Sequence, residues 1–217
     1  MTGADKSQRA ASAPALARQV KTIMPDHTVK AFTEELDGLQ HEVARMGGLA
    51  ETALNEALAA FSRRDTNLAQ GVIERDVKID TAQRDIEKRA VKLFALRQPM
   101  ANDLRVVLTG WRIAGELERI GDLAKNIAKR ALILNQAEPI QLTKSIDRMG
   151  RIASLHLKQV LDAYSNRDVQ AAGGVWYGDE DIDAHYNSLF RELLTYMMED
   201  PRTISSSAHL LFIAKNI

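Results

Sequence analysis

Pairs of carboxylates spaced four residues apart are the feature of this sequence best able to do chemistry. The pairs are Asp76 and Asp80, Glu118 and Asp122, and Asp179 and Asp183. Residues i and i+4 are neighbours on a helix, so each pair holds two like charges together at a cost of about 0.2–0.5 kcal/mol. A cation would remove that cost, and an all-oxygen set suits magnesium, calcium, manganese or iron, with zinc also open. Ordinary solvated acids are the competing interpretation.

Two observations favour a cation site. Asp76 lies on the apolar seam of its predicted helix and Glu118 directly follows the seam residue Leu117, where an unpaired carboxylate is costly. The second half of the chain repeats the first pair as Asp179 and Asp183. If the two helices that carry the first-half pairs are antiparallel neighbours, four carboxylates converge on one cation or a small cluster.

The chain contains an internal repeat. Residues 45–65 read RMGGLAETALNEALAAFSRRD, residues 148–168 read RMGRIASLHLKQVLDAYSNRD, and ten of the 21 positions are identical. A match of this length predicts a tandem duplication with a boundary near residues 137–139.

Apolar residues recur at helical spacing over about residues 32–61, 68–93 and 113–134 of the first copy. Asp65 or Thr66 would cap the second helix, and Pro99 suits the first turn of the third. Short breaks between long helices predict an all-α protein of two tandem pseudo-symmetric three-helix bundles. We expect residues 1–26 to form a disordered or loosely ordered tail, 27–137 the first bundle and 138–217 the second. Ile217 aligns with Leu117 in mid-helix, so the third helix of the second bundle is expected to be cut short here.

Composition narrows the class of protein. The chain has 217 residues, no cysteine, and 29 Lys and Arg against 29 Asp and Glu. Thiolate chemistry is therefore excluded, and no broad basic surface for nucleic acid is expected. No phosphate-binding loop or nucleophile elbow occurs, and no histidine follows a glutamate at the Glu-x-x-His spacing of di-iron bundles. The absence of a long apolar run predicts a cytoplasmic protein.

Three strings carry a resemblance to a known family. QPMANDLR at 98–105, LERIGDLAKNIA at 117–128 and RELLTYMMEDPRTI at 191–204, together with the repeat, resemble the PhoU family of phosphate-transport regulators over about residues 32–217. The resemblance implies two three-helix bundles whose Glu/Asp-x-x-x-Asp motifs can hold multinuclear iron or zinc clusters, with manganese or magnesium as alternatives. Carried over, the metal ligands are Asp76, Asp80, Glu118, Asp122, Asp179 and Asp183. The second-copy counterpart of Glu118-x-x-x-Asp122 falls beyond Ile217, which leaves the second site incomplete.

The resemblance also implies a function. It predicts a cytoplasmic negative regulator, without a reaction of its own, that links the ATPase subunit of a phosphate ABC transporter to a phosphate sensor histidine kinase. Such a protein would meet the membrane only through these partners, and we expect a homodimer. Two alternatives stay open: a carboxylate-metal phosphohydrolase and a metal-free structural helical scaffold.

Overall fold

The computed structural model describes residues 26–139 and 143–217, without the side chains of residues 26–29 and of Asp179. The predicted N-terminal tail, residues 1–26, falls outside this description except for Asp26. The first half of the chain forms three long helices, α1 (Asp26–Arg63), α2 (Thr66–Arg97) and α3 (Ala101–Leu134). They pack against one another with short connections, so consecutive helices run antiparallel. No helix in the described ranges is both long and apolar enough to cross a membrane.

The second half of the chain repeats this order with one interruption. It contains α4 (Thr143–Asn166), α5 (Val169–Tyr177), α6 (Asp179–Glu199), a single 3₁₀ turn at Pro201–Thr203, and α7 (Ile204–Asn216). The expected second helix of this copy is divided at Gly178 into α5 and α6. Glycine weakens a helix by about 1 kcal/mol relative to alanine. A Cβ at this position would also lie 2.9 Å from Cε1 of His156, so the close approach of α4 favours glycine at the break. The all-α fold of two related helical bundles is confirmed.

The turn between the first two helices is the same in both copies. Asp65 caps α2 by accepting a 2.9 Å hydrogen bond from the backbone N–H of Leu68, as the sequence predicts. Asp168 caps α5 by accepting a 2.9 Å bond from the N–H of Ala171. The preceding arginines, Arg64 and Arg167, have φ of 54° and 55°, a conformation uncommon for residues other than glycine. The duplicated Arg-Asp dipeptide therefore encodes one turn geometry twice.

The buried residues form two clusters that do not correspond to the two copies of the repeat. One lies among α1, α2 and α3 and includes Met46, Ile86 and Val107. The other joins the far ends of these three helices to α4, α6 and α7, and includes Ile127 and Leu193. The two halves thus share a hydrophobic core, and the boundary near residue 137 stays a prediction from the repeat.

Polar contacts also cross between the halves. Nη1 of Arg130 on α3 lies 3.0 Å from Nδ1 of His209 on α7. The same guanidinium lies 4.4 Å above the ring centroid of Phe212, within the range of a cation–π interaction. Ser62 on α1 donates a 2.9 Å hydrogen bond to Oδ2 of Asp147 on α4. These contacts fix the orientation of α4 and α7 on the first bundle.

Replacing Ser207 with alanine is expected to raise the free energy of unfolding by about 1 kcal/mol. Ser207 is fully buried on α7, and its Oγ has no hydrogen-bond partner among the described residues. A buried hydroxyl without a partner loses its hydration and gains nothing in return. The position that corresponds to it in the first copy is Val107, which is also fully buried. Urea unfolding of the two proteins measures the difference, and a less stable variant would show that the hydroxyl is bonded.

Candidate carboxylate site

The packing of α2 against α3 brings together four of the six predicted ligands. We call Asp76 and Asp80 of α2 with Glu118 and Asp122 of α3 the carboxylate cluster. Close helix packing makes this possible at Gly121, where a Cβ would lie 2.9 Å from Cδ1 and 3.1 Å from Cγ2 of Ile79. A larger residue there would push the helices apart, so the glycine positions the cluster.

Asp76 is the most buried member of the cluster, with 6% of the residue exposed. Its Oδ2 forms an ion pair with Nζ of Lys125. The same Nζ lies 3.5 Å from Oδ1 of Asp122, three residues earlier on α3. The lysine therefore connects a carboxylate on α2 to one on α3, and the pairing offsets the cost of burying Asp76.

The sequence analysis did not identify Lys125 as a member of this site. Its position could have indicated this, because Lys125 lies seven residues after Glu118 and three after Asp122. These spacings place the three residues on the same face of α3. A lysine at such a position is normally solvated, however, and only the distance between α2 and α3 decides whether it reaches Asp76.

Glu118 is the carboxylate of the cluster whose pKa is shifted by its surroundings. Its pKa lies above its ordinary value, chiefly because the carboxyl is partly buried, and further because Asp122, Asp80 and Asp76 are close by. The ammonium of Lys125 opposes this shift only in part. The pKa of Lys125 is also raised, chiefly by its hydrogen bond to Asp76, and for a lysine this favours the charged form. The lysine therefore stays charged at neutral pH.

Replacing Glu118 with glutamine is expected to stabilise the protein at neutral pH and to do so less as the pH falls. Folding raises the pKa of Glu118, so its carboxyl binds a proton more tightly in the folded state than in the unfolded state. Ionising it therefore lowers the stability of the fold. This loss develops as the pH rises from the pKa in the unfolded state through the pKa in the folded state. Below the unfolded pKa both states are protonated and the cost disappears. Urea unfolding of wild type and variant at several pH values measures the trend, and a difference independent of pH would contradict it.

The arrangement does not fit a metal ion held by three side chains. In the parts of the chain that the structure describes, no three Asp, Glu or His side chains are grouped closely enough to hold one. The ammonium of Lys125 supplies positive charge between Asp76 and Asp122 instead. Metal binding by these carboxylates stays a prediction.

The second pair of the repeat has a different environment. Asp179 is the first residue of α6, directly after the break at Gly178, and Asp183 is exposed one turn later. Metal binding by Asp179 and Asp183 stays a prediction.

A largely apolar groove lies where the two halves meet. It is bordered by α3 on one side and by α4 and α5 on the other, and is lined by Val106, Ile113, Val160, Ala163, Tyr164 and Ala172. Arg105 and Arg167 stand at its rim, and Arg167 donates a 3.1 Å hydrogen bond to Oε1 of Gln40. Nearby, Trp176 and Tyr177 at the end of α5 are each 81% exposed. The sequence did not predict this surface, because it depends on how the halves pack.

The helical repeat and the packing of its helices define a protein of two related helical bundles, which carries a carboxylate cluster and an apolar groove. The chain belongs to the PhoU family, because the PhoU domain matches residues 43–131 and 146–217. A Caulobacter vibrioides relative, named a phosphate-specific transport system accessory protein PhoU homolog, is 56% identical over 195 residues, which are 89% of this chain and 85% of the relative. The Escherichia coli K12 protein, named phosphate-specific transport system accessory protein PhoU, is 37% identical over 191 residues, or 88% of this chain and 79% of that protein.

Solved structures agree with the fold. The crystal structure of PhoU from Pseudomonas aeruginosa superposes with a TM-score of 0.83 at 35% sequence identity, over 85% of this chain and 89% of that one. The phosphate transport system regulatory protein PhoU from Streptococcus pneumoniae gives a TM-score of 0.79 at 29% identity, over 85% of this chain and 87% of that one. The resemblance found in the sequence is thus confirmed.

Proposed function

We propose that this protein is an accessory regulator of a phosphate-specific transport system. The observation that carries the proposal is the match to proteins named as accessory proteins of that system, at up to 56% identity across both copies of the repeat. Within that role it acts in the cytoplasm as a negative regulator. It joins the ATPase subunit of the phosphate ABC transporter to the phosphate sensor histidine kinase when phosphate is plentiful.

The apolar groove supports an adaptor role. It is bordered by helices from both halves, so a partner helix seated in it would contact both copies of the repeat at once. Recognition of this kind uses an amphipathic helix that places its apolar face in the groove. The rim arginines Arg105 and Arg167 would favour acidic residues at the edges of that helix.

The carboxylate cluster supports binding over catalysis. A carboxylate-metal phosphohydrolase needs a metal ion with an open coordination position, whereas here Asp76 is paired with Lys125. Docking in this proposal needs no bound iron, zinc, manganese or magnesium. We expect no hydrolysis of p-nitrophenyl phosphate above background, with or without added MnCl₂. Hydrolysis by the wild-type protein that disappears in the Glu118→Gln variant would favour the phosphohydrolase instead.

A pull-down tests the adaptor role. Immobilised full-length protein is expected to retain the transporter's ATPase subunit and the cytoplasmic part of the kinase from the same organism. Retention of neither would contradict the proposed function. Light scattering of the same preparation tests the expected homodimer.

A pair of variants tests the groove separately. Val160 is 38% exposed on α4 and lines the groove, whereas Leu155 is 53% exposed on the same helix and does not. Val160→Glu is expected to weaken retention of at least one partner about tenfold or more, while Leu155→Glu retains both. Equal retention by the two variants would move the docking surface elsewhere and leave the regulatory role intact.

A further inference from the structure

We propose that Lys125 is a tethered counter-ion that takes the place of a metal ion in the carboxylate cluster, so that divalent cations bind there only by displacing it. This inference goes beyond the regulatory role and holds whichever partners the protein binds. It assigns a function to a residue outside all three carboxylate pairs.

The ion pairs carry the inference. Nζ of Lys125 contacts Oδ2 of Asp76 on α2 and lies 3.5 Å from Oδ1 of Asp122 on α3. It therefore joins the two helices in the way that a bridging cation would. Its side chain is 27% exposed and that of Asp76 only 6%, so the charge pair is largely shielded from solvent and little weakened by salt.

Within residues 26–139 and 143–217, Lys125 is the cation that forms ion pairs with the cluster. The side chains of Asp80 and Glu118 form no hydrogen bond or ion pair with any other described residue. The nearby guanidinium of Arg75 is engaged by Glu56 on α1. The ammonium of Lys125 contacts Asp76 and Asp122 and also acts on Glu118, so its removal would leave these three carboxylates without that positive charge.

The lysine pair also bears on how a metal ion could use the carboxylate cluster. Asp76 is directed to the ammonium, which lies between the carboxylates of α2 and α3 that would have to share a metal ion. An ion entering the cluster must break the Asp76–Lys125 pair before it can use Asp76 as a ligand. Cation binding through Asp76 and the lysine pair are therefore mutually exclusive.

Isothermal titration of the full-length protein with MnCl₂ tests this competition. Lys125→Met keeps much of the side-chain volume and removes the charge, and Lys129→Met makes the same change at an exposed lysine one turn further along α3. Lys125→Met is expected to bind Mn²⁺ at least about tenfold more tightly than wild type. Lys129→Met is expected to match wild type, and adding Glu118→Gln and Asp122→Asn to Lys125→Met is expected to abolish the gain.

Three results would overturn the inference: equal affinities of wild type and Lys125→Met, an equal gain in Lys129→Met, or a gain that survives the loss of both α3 carboxylates. A second measurement uses only the wild type, in case Lys125→Met does not fold. Acetylation by an N-hydroxysuccinimide ester, followed by peptide mass spectrometry, is expected to be several-fold slower at Lys125 than at Lys129. It should accelerate at Lys125 when MnCl₂ is saturating. Equal rates at the two lysines, or no acceleration, would also overturn the inference.

Discussion

Replacing Gly121 with leucine is expected to lower the free energy of unfolding by about 3 kcal/mol. A Cβ at this position would lie 2.9 Å from Cδ1 and 3.1 Å from Cγ2 of Ile79, which is itself 3% exposed in the first core cluster. A shift of Ile79 away from this contact would disturb its packing in that cluster. The added side chain must therefore separate α2 from α3. Urea unfolding followed by far-ultraviolet circular dichroism measures the loss.

Gly115 provides the matched control for this substitution. It lies six residues earlier on α3 and is exposed, and a Cβ built there meets nothing within 4 Å. Gly115→Leu is expected to stabilise the protein by up to about 1 kcal/mol, because leucine is the better helix former. Equal effects of the two substitutions would show that α2 and α3 do not depend on the close approach at Gly121.

Replacing Leu193 with alanine is expected to cost about 3 kcal/mol, because it opens a cavity in the core cluster that the two halves share. Leu193 lies on α6 and is fully buried, while its neighbour Leu194 is 42% exposed. Leu194→Ala is expected to cost less than about 1 kcal/mol. The pair separates the effect of the cavity from the effect of alanine in α6.

The fluorescence of the two tryptophans measures whether Leu193→Ala destabilises both halves of the chain. Trp111 lies on α3 and Trp176 on α5, so Trp176→Phe and Trp111→Phe leave one fluorescent probe in each half. Because the second core cluster contains residues from α1, α2, α3, α4, α6 and α7, both probes are expected to report one urea transition. Leu193→Ala should lower that midpoint for both. A shift seen by Trp176 alone would mean that the halves unfold independently.

Local features of the fold could be predicted from the sequence because the same residues occur at the same positions in both copies of the repeat. The Arg-Asp turns at 64–65 and 167–168 and the capping role of Asp65 follow from residues whose preferences act over a few positions. The break at Gly178 could not be predicted, because Gly121 also lies within a helical pattern and does not interrupt its helix. The two glycines differ in the side chain that packs against them, which is His156 at Gly178 and Ile79 at Gly121.

The sequence predicts which carboxylates belong to the candidate site, but it does not predict which positive charge pairs with them. Spacing identified the four acids of α2 and α3, and the structure brings them together. The identity of their counter-charge depends on the distance between the helices, which Gly121 and Ile79 set. The second pair shows the same dependence, since Asp183 is exposed while Asp80, its counterpart in the repeat, is half-buried.

The regulatory role is tested most directly in cells. A reporter for the phosphate-starvation response is measured in phosphate-rich medium, in a strain that lacks this protein and in the same strain with the gene restored. A negative regulator predicts high reporter activity without the protein and repression when it is restored. Reporter activity that stays low without the protein would contradict the account.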